Sequence, residues 1–189
     1  ALITGYIELR NRFTTTIFLT SITTVLNNMK IYFSHGMESG PWGSKIKHLA
    51  AIAEEAGHTV ESIDYRETKD PDVRVGMLLE VLEKDKEPPI LVGSSMGGYV
   101  SLVASQQVKV ESLFLLAPAL YMDGYKVQMY PSKTTHIEVV HGWSDDIIPA
   151  DNSVQVARQA NCTLHLLKGD HRLNSSNEEV MTHIGGFLT

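Results

Sequence analysis

The sequence has little of several features that define common classes of protein. It carries a single cysteine, Cys162, in 189 residues, which excludes an internal disulfide and a cysteine-based zinc site and favours a reducing compartment. We expect Cys162 to be a small buried apolar residue. The eight histidines include no H-E-x-x-H motif and no pair at the spacing of metal ligands. We therefore predict that the protein uses neither a metal ion nor a cofactor.

Basic residues and long apolar runs are also scarce. The 16 Lys and Arg residues are outnumbered by 22 Asp and Glu, and the net charge is -6. This charge repels phosphate backbones and offers anionic membranes no basic patch. A glycine-rich stretch ends in Gly43-Ser44-Lys45, so the Gly-Lys-Ser/Thr order of a phosphate-binding loop is missing. We predict a small-molecule substrate, no nucleic-acid partner and no membrane span, and the oligomeric state is left open.

The first 28 residues differ in composition from the rest. Residues 13–26 hold seven apolar residues and seven Thr or Ser, a stretch too short and too polar to span a bilayer. Its β-branched residues suit an edge strand, whereas the spacing of Phe18, Ile22 and Val25 also fits one helical face. Met29 resembles the first residue of a protein, and no signal-peptide cleavage pattern precedes it. We predict an N-terminal extension over 1–28, outside the native domain, and one domain over 29–189.

Beyond the extension, short apolar runs alternate with segments of helical periodicity. Strands are predicted at about 30–34, 58–65, 89–92, 112–117, 135–140 and 163–167. Helices are predicted between them and at the end, at about 42–56, 71–82, 99–107, 150–160 and 176–188. This alternation predicts an α/β fold, a doubly wound and mostly parallel sheet of about six strands flanked by helices.

Two of the helices have clear boundary signals. Gly57 ends the first, and Asp70 followed by Pro71 caps the second. The predicted apolar stripe of the first helix is Trp42, Ile46, Leu49 and Ala53. That of the second is Val73, Met77, Leu78, Val81 and Leu82.

The loop after the third predicted strand has the pattern of a nucleophile elbow. Gly93-Ser94-Ser95-Met96-Gly97 matches G-x-S-x-G between an apolar strand and a helix. The turn is so tight that the residues two before and two after the nucleophile must be small. Gly93 and Gly97 meet this demand for Ser95, whereas Ser94 would place Val92 and Met96 there. Ser95 is therefore the candidate nucleophile.

A serine hydroxyl needs a base and an orienting acid, because it is a weak nucleophile at neutral pH. In sheets of this type the chain order is Ser, then Asp or Glu, then His. Asp145 and Asp146 follow the fifth predicted strand, and His171 follows the sixth. We predict that His171 is the base and that one of the two aspartates orients it. Asp170 is expected to shape the turn before His171.

The same loops offer donors for an oxyanion and surfaces for a substrate. Met96 lies at a helix N-terminus, and Met37 lies in a sharp bend after the first strand, so their N–H groups are the predicted oxyanion hole. Glu38 is expected to be solvated or to contact a basic substrate group. Predicted substrate contacts are His35, Gly36, Tyr121, Met122 and Trp143.

Together these segments resemble the α/β-hydrolase superfamily. The resemblance covers about residues 30–188 and rests on four loops in the right order: Phe33-Ser34-His35-Gly36, Gly93 to Gly98, Gly142 to Pro149, and Gly169-Asp170-His171. In that superfamily the acid loop often reads G-x-x-D-x-x-V-P, and its aspartate aligns with Asp145, with Ile148 in place of the valine. The resemblance thus implies a Ser-His-Asp catalytic triad of Ser95, His171 and Asp145.

The chain is similar in particular to small, lidless bacterial serine esterases and thioesterases. In size it is similar to the YqiA-type esterases. Where many relatives carry a helical cap, only residues 118–134 are available. The resemblance implies a cytoplasmic serine hydrolase that cleaves a small or acyl-chain carboxylic ester or thioester through an acyl-enzyme. Amide cleavage uses the same core residues. A binding protein that keeps the fold without turnover is the alternative.

Overall fold

The computed structural model describes residues 28–189, in which six strands form one parallel sheet. The strands, in chain order, are β1 Lys30–Ser34, β2 Thr59–Ile63, β3 Ile90–Ser94, β4 Ser112–Leu116, β5 His136–Gly142 and β6 Thr163–Leu167. The helices are α1 Ser44–Glu55, α2 Pro71–Leu82, α3 Met96–Ser105, α4 Ala150–Ala160 and α5 Asn177–Phe187, with a short 3-10 turn at Asn174–Ser176. The predicted doubly wound α/β fold is confirmed.

The strand order is β2-β1-β3-β4-β5-β6, so the winding direction reverses between β1 and β3. Both faces of the sheet are covered, which explains why the central strands are almost wholly buried. Alternate residues enter different cores: Ile31 and Phe33 pack with α1 and α5, whereas Tyr32 packs with α2 and α3. In a sheet of this kind, sites form at the carboxyl ends of the strands near the reversal.

The second helix begins as the sequence predicts. The Asp70 carboxylate accepts hydrogen bonds from the N–H groups of Asp72 at 2.9 Å and Val73 at 3.2 Å, and Pro71 occupies the first turn. These contacts satisfy donors that have no partner within the helix. The boundary prediction at Asp70-Pro71 is therefore confirmed.

The predicted apolar stripes are wrong at two positions. Trp42 precedes α1 and is 44% exposed, because the helix begins only at Ser44. On α2 the buried face contains Arg74, and Val73 is 49% exposed. A buried arginine is tolerated here because its guanidinium donates to backbone carbonyls of other segments. Hydrophobic periodicity alone cannot show such partners.

The extension predicted for 1–28 lies, except for Asn28, outside the described residues, and so do the strand and helix alternatives for it. Within residues 28–189, no helix is both long enough and apolar enough to cross a membrane. In the same part of the chain, no group of three or more His, Cys, Asp or Glu side chains has the arrangement of a metal site.

Candidate active site

The turn between β3 and α3 holds Ser95 in a strained backbone conformation. Its φ of 55° and ψ of -121° lie where residues with a side chain are rarely found. A Cβ added to Gly93 would overlap the carbonyl oxygen of Gly97, and one added to Gly97 would overlap that of Ser34. Only glycine therefore fits at both positions, which is the steric demand inferred from the sequence.

Ser95 is the first member of a chain of hydrogen bonds. Its Oγ lies 3.0 Å from Nε2 of His171, and Nδ1 of His171 lies 2.7 Å from Oδ2 of Asp145. The other oxygen of Asp145 accepts from the N–H groups of Ile147 at 2.9 Å and Ile148 at 2.8 Å. The structure thus brings together the three residues that the sequence singles out for a triad.

The ionisation of Asp145 decides how the protons are arranged. Burial by itself would raise the pKa of Asp145, but hydrogen bonds from Ile148, His171 and Ile147 together hold this pKa below its ordinary value. The group is therefore a carboxylate, which can only accept hydrogen bonds. His171 must then donate from Nδ1, and its Nε2 lone pair is free to accept the proton of Ser95.

Close packing of two loops places Asp145 beside His171. The N–H of Trp143 donates to Leu167 at 2.9 Å, and the N–H of Ser144 donates to Gly169 at 2.9 Å. A Cβ on Gly142 would overlap the carbonyl oxygen of Gly169, so glycine permits this approach. The two loops follow adjacent strands, β5 and β6, and reach the same edge of the sheet.

Asp146 and Asp170, the neighbours of the two site residues, have other surroundings. Asp146 is exposed. Asp170 accepts a hydrogen bond from the N–H of Arg172 at 3.0 Å and thereby shapes the turn around His171, as predicted. Of the two candidate aspartates, Asp145 is the one in contact with His171.

Two backbone N–H groups, those of Met96 and Met37, lie on the two loops that meet at Ser95. The N–H of Met96 lies in the first turn of α3, where the helix dipole adds a partial positive charge. Among the described residues, neither this N–H nor that of Met37 donates to a protein acceptor. A Cβ on Gly36 would lie 3.3 Å from Cβ of Ser95, so the loop after β1 runs directly against Ser95.

His35 does not face a ligand, and its prediction as a substrate contact is wrong. Its side chain is fully buried, and Nδ1 donates to the carbonyl of Gly36 at 2.7 Å. Nε2 accepts from the N–H of Tyr65 at 3.1 Å. Burial lowers the pKa of His35, which keeps the ring neutral. Its role is to shape the bend that carries Met37.

Arg74 is a neighbour of this bend that sequence reasoning missed. Its guanidinium donates to Thr68 at 2.9 Å, Gly36 at 3.3 Å, His35 at 3.4 Å and Met37 at 3.5 Å, in each case to the carbonyl oxygen. Burial lowers the pKa of Arg74, although arginine stays charged in proteins. Arg74 therefore ties α2 to three consecutive carbonyls of the loop beside Ser95. The only signal in the sequence is a charged residue within an apolar stripe.

The other predicted substrate contacts and their neighbours differ in exposure. Trp143 is 61% exposed and Met37 is 39% exposed. Tyr121 and Met122 are half-buried, and the Tyr121 hydroxyl donates to Oε1 of Gln159 at 2.9 Å. Glu38 is exposed and pairs with Lys69 at 2.8 Å, which agrees with a solvated carboxylate. The segment between β4 and β5 contains neither helix nor strand, as expected for a chain without a cap domain.

The fold and the loop geometry define the class of the protein. Among solved structures, the chain is similar to a protein of Xanthomonas campestris pv. campestris that is assigned by name to the hydrolases of the alpha/beta superfamily. The two share 30% sequence identity with a TM-score of 0.76, over 85% of this chain and 98% of that chain. Est1E from Butyrivibrio proteoclasticus is similar at 20% identity and a TM-score of 0.73, over 85% and 87% of the two chains. Mouse alpha/beta hydrolase domain-containing protein 10 is similar at 20% identity and a TM-score of 0.69, over 84% and 89%.

The likeness to the Xanthomonas protein places the chain in the α/β-hydrolase superfamily. At 20% identity, the other two structures show the fold alone. Residues 29–178 match the family described as an uncharacterised protein family, UPF0227. The chain belongs to this family. Among curated proteins, a comparison by sequence finds no match. The resemblance inferred from the four loops is thereby confirmed at the level of superfamily and fold.

Proposed function

We propose that the protein is a serine hydrolase that cleaves a carboxylic ester or thioester through an acyl-enzyme. The observation that carries the proposal is the continuous hydrogen-bond chain from Ser95 Oγ through His171 to Asp145, with distances of 3.0 and 2.7 Å. The strained backbone at Ser95 supports it, because such strain persists where it orients a reacting group.

In the first half of the proposed reaction, Ser95 Oγ attacks the carbonyl carbon while its proton passes to Nε2 of His171. Asp145 holds the imidazole in the required tautomer and stabilises the imidazolium that forms. The carbonyl oxygen gains negative charge and accepts hydrogen bonds from the N–H groups of Met37 and Met96. His171 then protonates the leaving alcohol or thiol, and the ester of Ser95 remains.

In the second half, water replaces the leaving group. His171 takes a proton from the water as it attacks the acyl carbonyl, and the same two N–H groups bind the second oxyanion. Collapse of this intermediate breaks the bond to Ser95 Oγ, which regains its proton from His171. The carboxylic acid leaves, and the enzyme returns to its starting state.

The surroundings of Ser95 support an open, apolar substrate site. Residues 117–135 form only a loop, and the exposed side chains of Met37 and Trp143 lie on the loops that carry the proposed oxyanion donor and the acid. Together with Gly36, Tyr121 and Met122, they are the proposed contacts for a small or extended acyl group.

A fluorophosphonate probe tests the proposal, because it reacts with an activated serine and needs no knowledge of the substrate. We expect the wild-type protein to be labelled and to hydrolyse short-chain p-nitrophenyl esters or acyl thioesters. Ser95→Ala should abolish labelling and lower turnover by about 10⁴-fold or more. Ser94→Ala is the matched control, since its hydroxyl is in the same turn and outside the hydrogen-bond chain.

If the folded wild-type protein is not labelled while a control serine hydrolase is, the enzyme proposal fails. The protein would then be a binding protein on a hydrolase fold. Loss of labelling in Ser94→Ala, with retention in Ser95→Ala, would show that the nucleophile is Ser94 and that the assignment to Ser95 is wrong. If the wild-type protein is labelled as expected, a panel of esters, thioesters and amides identifies the class of bond that is cleaved.

A further inference from the structure

Asp145 has a second imidazole partner besides His171. His141, on β5, is fully buried, and its Nε2 lies 2.9 Å from Oδ2 of Asp145 and 3.1 Å from the carbonyl oxygen of Ile148. On the other side of the ring, Nδ1 lies 2.7 Å from Oγ of Ser153, which is fully buried in α4. Oδ2 of Asp145 is thus shared between two histidines.

The neighbours of His141 determine where its proton lies. Both groups facing Nε2 are acceptors, so Nε2 must carry the hydrogen. Nδ1 then has a lone pair and accepts from the hydroxyl of Ser153. Burial lowers the pKa of His141, and the ionisable groups acting on it are Asp145, which raises this pKa, and His171, which lowers it. The ring is therefore a neutral donor with a fixed tautomer.

With His141 in place, every acceptor position of the Asp145 carboxylate is used. Oδ1 accepts two backbone N–H groups, from Ile147 and Ile148, and Oδ2 accepts one N–H from each histidine. A carboxylate with donors on both oxygens cannot rotate without breaking several of these bonds. Its Oδ2 is consequently held where Nδ1 of His171 meets it at 2.7 Å.

We propose that His141 is a positioning residue for the hydrolytic reaction, acting through Asp145. Its Nε2–H fixes the orientation of the carboxylate that orients His171, and Ser153 on α4 holds His141 in the donating tautomer. This inference rests on the proposed function. It extends the chain from Ser95 to a buried group on the far side of the acid.

The competing role for His141 is to fill space between β5 and α4. A residue of similar volume without a donor would then serve equally well, apart from a loss of stability. Leucine and glutamine separate the two roles. Leucine fills most of the space and donates nothing, whereas the side-chain amide of glutamine can place an N–H near the position of Nε2.

We expect His141→Leu to lower kcat by about tenfold to a hundredfold, because small displacements of an orienting group have effects of this size. KM should change little, since the buried ring is out of reach of a substrate. His141→Gln should recover most of kcat. The acidic limb of the kcat/KM profile should move to higher pH in His141→Leu, because Asp145 no longer shares its negative charge with a second donor and stabilises protonated His171 more strongly.

A histidine–carboxylate pair elsewhere in the sheet provides the matched control. His165 on β6 donates from Nε2 to Oε2 of Glu138 at 2.9 Å, and both side chains are mostly buried. His165→Leu and His165→Gln remove and restore a comparable hydrogen bond. They should lower the melting temperature at most, and kcat and the pH profile should match the wild type.

A measurement that needs no turnover separates this inference from the proposed function. The imidazole of His171 can be titrated by NMR in wild type, His141→Leu and His141→Gln. We expect the titration to move to higher pH in the leucine variant, because the carboxylate beside His171 loses a donor, and to return in the glutamine variant. If no ester or thioester is hydrolysed by wild type, the proposed function fails, and the NMR titration still shows whether His141 acts on the Asp145–His171 pair.

Two results would overturn the inference. One is a folded His141→Leu variant whose kcat, pH profile and His171 titration equal those of the wild type. The other is an equal loss of kcat in the leucine and glutamine variants with no change in either titration, which would assign His141 a packing role.

Discussion

Replacing Asp145 by asparagine changes one oxygen to an amide nitrogen and leaves the volume of the side chain unchanged. In the wild type, Oδ1 accepts from Ile147 and Ile148, and Oδ2 accepts from His141 and His171. An amide has one oxygen and one NH₂ group. One of these two pairs of donors must therefore face the NH₂ group.

The backbone N–H groups of Ile147 and Ile148 cannot become acceptors, so the amide oxygen should turn toward them. The NH₂ group then faces the imidazoles, and His171 can bond to it only through an Nδ1 lone pair. Its hydrogen moves to Nε2, where it faces Ser95 and removes the lone pair that accepts the serine proton. A triad in this tautomer loses about 10⁴-fold in kcat, equivalent to about 5.5 kcal/mol of transition-state stabilisation.

The assay is kcat on a short-chain p-nitrophenyl ester, with the fluorophosphonate labelling rate as a second readout. Asp146→Asn is the matched control, because Asp146 is exposed and next in the chain; this variant should keep most of its activity. Thermal unfolding of both variants shows whether they are folded. An Asp145→Asn enzyme within tenfold of wild type, or a crippled Asp146→Asn enzyme, would refute the tautomer argument.

Two further predictions concern stability. Gly97→Ala should lower the free energy of unfolding by about 1–3 kcal/mol or more, because the new Cβ overlaps the carbonyl oxygen of Ser34. Gly76 lies in the interior of α2 with open space around it, so Gly76→Ala should leave the free energy of unfolding unchanged or raise it by up to about 1 kcal/mol. Urea denaturation measures both variants. Similar effects at the two sites would contradict the packing described. The pKa of Asp145 is lowered from 3.8, so its ionisation stabilises the fold above that pH, and this contribution is lost as the pH falls through the lowered pKa. Urea denaturation of Asp145→Asn should therefore show a smaller loss of stability below about pH 4 than wild type, and parallel losses would contradict this contribution.

Much of the fold could be predicted because the signals are local. The six strands and five helices follow from apolar runs, helical periodicity and breakers, and the capping of α2 needs only Asp70 and Pro71. The turn at Ser95 is also local, since the demand for small residues at positions 93 and 97 arises within five residues. The meeting of Ser95, Asp145 and His171 at one edge could be expected because a parallel sheet brings the carboxyl ends of all its strands to the same edge.

The errors arise where burial depends on partners far away in the chain. His35 was expected at the surface of the site, but its two ring nitrogens bond to Gly36 and to the backbone of Tyr65, 30 residues later. Arg74 is buried because carbonyls of the loop after β1 accept its hydrogens. The spacing of apolar residues shows neither the partners of His35 nor those of Arg74. A prediction from that spacing therefore treats such polar residues as exposed.

The sequence by itself therefore determined the alternation of strands and helices and the elbow at Ser95, because these depend on neighbouring residues. It also determined that Ser95, an aspartate and His171 reach one edge of a sheet, because that depends on strand direction. Only the tertiary structure decided which oxygen of Asp145 meets His171, that His141 shares it, and that Arg74 and His35 shape the loop beside Ser95. Apart from the bond between His141 and Asp145, which are four residues apart, those contacts join segments distant in sequence, and they form only when the ends of β1, β3, β5 and β6 are packed against one another.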